Sequence, residues 1–381
     1  MNDNAPPLGV YVHWPYCARI CPYCDFNVYK NRAIDEGEWR RALEIELAHW
    51  RKQSGGRRLR SLYFGGGTPS LAPAGVIECV VETCEALWGF EDDAEITLEA
   101  NPTDAEIGLF KRFEQIGINR LSLGVQSLSD DALAFLGRNH TAREAQRALD
   151  RALAIFPNSS FDLIYALPDQ TSAQWDAELR AALSYKPRHL SLYQLTIEEK
   201  TAFDRAVSRG AWAPPDEAKA ADLFDLTQAV TEEAGMTAYE ISNHAAPGAQ
   251  SKHNLLYWRQ HDYIGIGPGA HGRLTRDDQR IAIENIRAPG DFLSHVFQTG
   301  NGALQTEALG GEARAAERLS MGLRLREGCV IDDGLATVLD EKKEHLTALK
   351  SEGLVHVSAG RIVASDAGRR VLNSVVAYLL T

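Results

Sequence analysis

Apolar residues recur along the first half of the chain in two rhythms. Short runs at Gly9–His13, Arg60–Phe64, Ala94–Glu99, Asn119–Val125, Ser160–Ala166 and His189–Leu195 read as strands. Between the first two, Trp39, Leu43, Leu47 and Trp50 repeat every three or four residues and predict an amphipathic helix over Asp35–Trp50. Further helices are predicted over Ala74–Trp88, Asp104–Ile116, Asp130–Leu136 and Arg143–Ile155. Strand-then-helix units of this kind imply a parallel sheet with right-handed crossovers, either doubly wound or curved into a barrel. In both, chemistry gathers at the C-terminal ends of the strands.

After Leu195 the rhythm changes. Helical patterns cover Glu198–Arg209 and Asp216–Ala234, then a strand is expected at Tyr239–Ser242, and a Gly/His-rich stretch runs to Gly272. These read as additions packed on the barrel. From about Glu307 the order is helix, helix, a hairpin of Leu354–Val357 and Ile362–Ala364, and a last helix with Leu372, Val375, Val376 and Leu379. That order resembles a small α+β winged-helix module. Three parts are therefore expected: 1–240, 241–305 and 306–381.

Composition narrows the function. Of 381 residues, 44% are hydrophobic and 24% charged, enough apolar material for a full core. A formal charge of −12 argues against a nucleic-acid partner, because phosphate binding wants a basic surface. The polar Met1–Pro7 stretch has no basic start or apolar run, so no signal peptide is expected. No run of about 18 apolar residues suggests a membrane span. Of six cysteines, Cys17, Cys21 and Cys24 fall within eight positions, while Cys79, Cys84 and Cys329 are scattered. The cluster reads as metal-binding in a reducing cytoplasm, and the scattered three as small buried hydrophobes.

Cys17-x3-Cys21-x2-Cys24 supplies three thiolates from one loop. A cubane [4Fe–4S] cluster held by three ligands keeps one iron free for another molecule. Zinc is the competing reading; it wants four N or S ligands, with His13 as a fourth. The stretch Tyr11-Val12-His13-Trp14-Pro15-Tyr16-Cys17, continued by Cys21-Pro22-Tyr23-Cys24-Asp25-Phe26, resembles the radical SAM superfamily and, within it, the coproporphyrinogen dehydrogenase-like (HemN-like) family. The resemblance runs over roughly residues 8–380. It implies an α/β fold, a (β/α)6 partial TIM barrel with a small C-terminal winged-helix-like domain. It also implies a cluster whose free iron takes the amino and carboxylate groups of S-adenosylmethionine.

Other motifs follow the strands. Gly65-Gly66-Gly67-Thr68-Pro69 exposes backbone that a ligand can approach closely, although a glycine triplet alone is as well read as a turn. Glu99 ends the third strand and Gln126 the fourth; Arg138 follows Gly137, and Asp162 lies in the fifth. Taken singly, Glu99 suits a helix N-terminus, Arg138 an ion pair and Asp162 a buried hydrogen bond. By resemblance, Tyr11, Gly66, Gly67, Thr68, Glu99, Gln126, Arg138 and Asp162 match cofactor positions, and Tyr23 packs near the adenine.

Three features favour the haem-trafficking (HemW-type) branch over the coproporphyrinogen III dehydrogenase. Phe26 stands where the dehydrogenase pattern has another cysteine, only sixteen residues precede Cys17, and His253-Asn254-Leu255-Leu256-Tyr257-Trp258 matches the H-N-x-x-Y-W signature of the haem-carrying branch. Imidazole is a common axial ligand and aromatic rings suit a porphyrin, so His253 is the expected haem ligand, with His244 and His271 as rivals. The resemblance thus implies a haem chaperone that serves haem-acceptor proteins. An electron donor such as a flavodoxin or ferredoxin, and peripheral membrane contact through the acceptors, belong to the same expectation. Whether the chain turns over a substrate stays open, with oxygen-independent coproporphyrinogen III oxidation as the alternative.

Overall fold

The computed structural model describes residues 6–30 and 33–381; residues 1–5 of the polar N-terminal stretch lie outside them. Six parallel strands form the centre of the fold: β1 (Leu8–Trp14), β2 (Leu59–Gly66), β3 (Phe90–Ala100), β4 (Arg120–Gln126), β5 (Ser160–Tyr165) and β6 (His189–Gln194). They lie side by side in chain order, as strand–helix crossovers of one hand require. The expected strands are recovered, most of them within a residue or two of their predicted ends.

The helix Glu36–Gln53 shows how the sequence builds a layer. Asp35 caps it by accepting from the Glu38 N–H, and Trp39, Leu43, Leu47 and Trp50 are buried against the sheet. The stretch predicted as one helix over 104–116 is two, Asp104–Ile107 and Phe110–Ile116, the second capped by Gly117 at a φ of 106°. The helix expected from Glu198 starts at Ala202, where the Thr201 side chain accepts from the Asp204 N–H.

Two expectations for the middle of the chain are corrected. Tyr239–Ser242 is a turn rather than a strand: the Tyr239 N–H donates to the Asn243 carbonyl, and the Glu240 carboxylate accepts from the Ser242 N–H at 2.8 Å. Pairing occurs on either side: β8 (Asn243–Ala245) runs antiparallel to β6, and β7 (Thr237–Ala238) runs antiparallel to β8 at the sheet edge. The Gly/His-rich stretch is also not merely laid on the barrel. Its Asp262–Ile266 segment, β9, pairs in parallel with β1 on the side away from β2. Antiparallel β10 (His271–Arg276), β11 (Gln279–Asn285) and β12 (Ala303–Ala308) then extend the sheet to twelve strands, in the order β12-β11-β10-β9-β1-β2-β3-β4-β5-β6-β8-β7.

A second hydrophobic cluster gathers Leu319, Leu335, Leu339, Ile362, Leu372, Val375 and Leu379 near the C-terminus. There the predicted hairpin, Val355–Ser358 with Arg361–Ala364, gains a third strand from Cys329–Val330.

Glu46 ties the two sides of the barrel together. Fully buried, it accepts from the Gly267 and Gly302 N–H groups at 2.9 and 3.1 Å and from Asn285 Nδ2 at 2.8 Å. Burial pushes its carboxyl up to about 8 despite these donors. Glu46→Ala strands three buried donors and is expected to destabilise the fold by about 3 kcal/mol or more. Urea unfolding followed by tryptophan fluorescence checks this.

Candidate functional site

A cavity of about 380 Å³ opens at the C-terminal ends of the parallel strands. The loop after β1 brings Cys17, Cys21, Tyr23 and Cys24 to it; β2 and its following turn bring Gly66, Gly67 and Thr68; β3, β4 and β5 bring Glu99, Gln126 and Asp162; and Arg138 completes the wall. Eleven of the thirteen residues singled out in the sequence therefore meet in one place, from segments up to 145 positions apart.

The glycine turn is where the backbone most needs glycine. The Gly67 N–H donates to the Trp14 carbonyl at 2.7 Å and the Thr68 N–H to the Tyr16 carbonyl at 2.9 Å, which pins the turn against the start of the cysteine loop. A Cβ on Gly67 would lie 2.7 Å from the Tyr16 carbonyl oxygen, and Gly66 sits at a φ of 108°. The result is a stretch of bare backbone lining the cavity. Gln126, at the end of β4, holds a φ of 68°, a left-handed conformation that strains a residue with a side chain and is often found at functional sites.

Glu99 reaches the cavity floor with one protein donor on each oxygen: the Tyr63 hydroxyl at 2.7 Å and the Gly66 N–H at 3.2 Å. Burial raises its carboxyl to about 7, and Asp162 nearby adds to that rise. Asp162, raised to about 6 by burial, accepts from Ser122 at 3.5 Å and also from Ser191. The amino group of a ligand would favour the ionised form of both carboxyl groups, whose protons would pass to solvent.

Arg138 is half-buried and spans the cluster loop and the barrel. One terminal nitrogen donates to Cys21 Sγ at 3.1 Å and to the Tyr23 hydroxyl at 3.4 Å; the other donates to the Gly124 carbonyl at 3.1 Å and to Asn101 Oδ1. Its Nε is buried with no protein partner. Asn101 in turn donates to Thr68 at 3.2 Å, and the Thr68 hydroxyl bonds Cys17. Asn101 and Tyr63 escaped the sequence reading. Asn101 carried a signal, its place in the Glu99–Pro102 strand end; Tyr63 carried none.

The three thiols fit a cluster. They line one cavity, with Arg138 charge beside Cys21 and the Thr68 hydroxyl on Cys17. Burial pushes the Cys17 thiol up and the Cys24 thiol up to about 11, so bare thiolates are disfavoured there and bound iron would supply the missing positive charge. Among the described residues, no three His, Cys, Asp or Glu side chains close on a single metal ion. His13, the suggested fourth zinc ligand, instead bonds the Tyr11 hydroxyl at 3.1 Å and the Asn27 carbonyl at 2.9 Å.

Tyr11 and His253 stand apart from the cavity, in the layer beneath it. Tyr11 packs near Tyr63 and His253, with ring centroids 6.2 Å from each. His253 is buried, with Nδ1 on the Ser61 hydroxyl at 2.7 Å and Nε2 on the Tyr257 hydroxyl at 2.6 Å. Both ring nitrogens of His253, the expected haem ligand, are thus bonded inside the protein in this arrangement. His244 is buried too, whereas His271 is exposed.

Known proteins resemble this chain over most of its length. Residues 11–182 match the family profile of the radical SAM superfamily. The chain is 38% identical over 389 residues to the "Radical S-adenosyl methionine domain-containing protein 1, mitochondrial" of Bos taurus, covering 98% of this chain and 87% of that protein. It is 41% identical over 291 residues to the heme chaperone HemW of Escherichia coli, covering 76% of each, and 31% identical over 387 residues to that of Bacillus subtilis, covering 98% and 99%. The solved structure of the Escherichia coli coproporphyrinogen III oxidase HemN, a radical SAM enzyme, shares the fold with a TM-score of 0.82 at 23% identity, covering 99% of this chain and 90% of that one. The chain belongs to the radical SAM superfamily, in the HemW branch of the HemN-like family, and membership implies a [4Fe–4S] cluster and S-adenosylmethionine.

Proposed function

We propose that this chain is a haem chaperone: it binds haem and passes it to acceptor proteins while carrying a cluster and S-adenosylmethionine. In this reading Cys17, Cys21 and Cys24 hold the cluster. Gly66, Gly67, Thr68, Glu99, Gln126, Arg138 and Asp162 bind S-adenosylmethionine, Tyr23 packs near its adenine, and Tyr11 supports the floor. When bound, the pair supplies one-electron chemistry. The protein's own part is to orient the cofactor, neutralise its charged ends and exclude water.

Phe26 carries the choice of branch. It stands two positions after Cys24, where the dehydrogenase pattern places a cysteine, and its ring is 61% exposed at the cavity mouth. Ile20 and Tyr193, also cavity-lining, are about 40% exposed beside the same opening. Such a concentration of exposed apolar side chains suits a flat, largely apolar macrocycle. The HemW names of the relatives support the same reading.

Two imidazoles compete as the haem ligand. His253 carries the family signature and would have to turn its ring outward; His271 is exposed as it stands. Hemin titration of the cluster-loaded protein is expected to give a stable complex with a Soret shift. His253→Ala and His271→Ala then assign the ligand, by which of them loses that shift. Conversion of coproporphyrinogen III to protoporphyrinogen IX without stable haem binding would instead make the chain an oxidase.

The three-part division at about 240 and 305 belongs to this proposal, and its boundary at about 305 is supported by the second hydrophobic cluster. A cytoplasmic setting, an electron donor of the flavodoxin or ferredoxin kind and membrane contact through acceptors are parts of the same reading. No helix among the described residues is long and apolar enough to cross a membrane.

A further inference from the structure

The helix Lys252–Trp258, which carries the H-N-x-x-Y-W segment, is fastened to the inside of the barrel rather than presented outward. The buried Glu95 carboxylate accepts from the Ser251 hydroxyl at 3.0 Å and from the Lys252 and His253 N–H groups at 3.2 and 3.1 Å. Arg120, also buried, pairs with that carboxylate at 3.2 Å. A glycine on β1 opposite the helix favours its close approach to the sheet. A Cβ on Gly9 would lie 2.5 Å from Leu256 Cδ1 and 2.8 Å from Ser61 Oγ.

From this anchorage a short chain of contacts runs to the cofactor floor. The His253 ring lies nearly parallel to the Tyr63 ring, at 20° and 4.7 Å between centroids. Its nitrogens are fixed by Ser61 and Tyr257, so the ring has one orientation. Ser61 and Tyr63 alternate on the same side of β2, which places the ring's hydrogen-bond partner and its stacking partner on one strand. The Tyr63 hydroxyl donates to Glu99 Oε1 at 2.7 Å, and Glu99 Oε2 accepts from Gly66 at 3.2 Å. There is no slack in this layer: a Cβ on Gly65 would meet Tyr11, Tyr63 and Glu99 at 2.9 to 3.2 Å.

We propose that His253 is a positioning residue for the cofactor cavity, holding Tyr63 so that its hydroxyl fixes Glu99 against the glycine turn. The inference rests on the reading that Glu99 binds the amino group of S-adenosylmethionine. It follows that the H-N-x-x-Y-W helix and the S-adenosylmethionine site are coupled. A ligand that draws His253 out of its seat weakens the cofactor's hold, and by linkage bound cofactor holds the helix down.

The test uses the full-length, cluster-reconstituted protein with S-adenosylmethionine as the probe. Affinity is read by calorimetry, and the cofactor-induced change in the electron paramagnetic resonance of the reduced cluster is read alongside. His253→Ala is expected to weaken binding about tenfold at unchanged iron content and to diminish that spectral change. Tyr63→Phe removes a single oxygen and should match it. The double variant should be no worse than either single one, because both act through the same carboxylate. Ser61→Ala, which leaves every ring in place, should weaken binding about threefold in the same direction, and it carries the test with Tyr63→Phe if His253→Ala does not fold.

Affinities within twofold of the parent, or losses in the double variant that multiply, would overturn the positioning role. Glu99→Gln separates the two levels. If it leaves S-adenosylmethionine binding intact, the underlying reading of the site is at fault. If it weakens binding while Tyr63→Phe and Ser61→Ala do not, only the positioning role falls.

Discussion

Arg138→Met should leave a folded protein that cannot keep its iron. The guanidinium donates to Cys21 Sγ at 3.1 Å and to Tyr23 at 3.4 Å, and its other terminal nitrogen fixes Asn101 and the Gly124 carbonyl. It is the one cation with a hydrogen bond to a cluster-loop sulfur among the described residues, in a site where burial works against thiolates. Methionine keeps most of the volume and removes both the charge and the donors. Outer-shell partners of metal ligands are typically worth 10–100-fold in metal affinity, and a loss of that size is expected here. Release of iron to a chelator, followed under anaerobic conditions, measures it. Unchanged release would reduce Arg138 to a strut between two loops.

The second large effect is on S-adenosylmethionine binding and its pH dependence. Burial, with Asp162 adding to it, raises the Glu99 carboxyl to about 7, while Tyr63 and Gly66 hold it down through hydrogen bonds. The cofactor's amino group is an N–H donor and prefers the carboxylate as its acceptor. Below about pH 7 binding must therefore release a proton, and affinity should fall toward tenfold per pH unit; above it the dependence should flatten. Asp162, raised to about 6, acts in the same direction at lower pH. Glu99→Gln removes a charge-assisted hydrogen bond of about 1.5–3 kcal/mol, so affinity at pH 8 should drop about 10–100-fold. The remaining pH dependence should then shift toward that of Asp162. A calorimetric series from pH 5.5 to 8.5 on cluster-loaded parent and variant shows whether the Glu99 step disappears.

The barrel was legible because its strands and helices carry different periods. Trp39, Leu43, Leu47 and Trp50 announce a helix face, and runs such as Gly9–His13 and Asn119–Val125 a buried strand. The cysteine loop was legible because its ligands are local. What could not be read depends on long-range closure. Arg138 reaches Cys21 across 117 positions, and Ser61 meets His253 across 192. Neither pairing leaves a trace in spacing. β9 does not stand out in the sequence because Asp262–Ile266 is five residues long, interrupted by Gly265 and followed by Gly267, and only its pairing with β1 identifies it as part of the barrel. His253 shows a different limit. A motif marks which residue matters, but only the fold shows that its ring points inward onto Tyr63.

Anaerobic reconstitution with iron and sulfide, followed by metal analysis, is the most direct test of the central claim. About four irons and four sulfides per chain are expected. A broad absorbance should appear and be lost when Cys17, Cys21 or Cys24 becomes alanine, and the resonance of the reduced cluster should change when S-adenosylmethionine is added. One zinc per chain, held by the same cysteines and excluding iron, would contradict that claim.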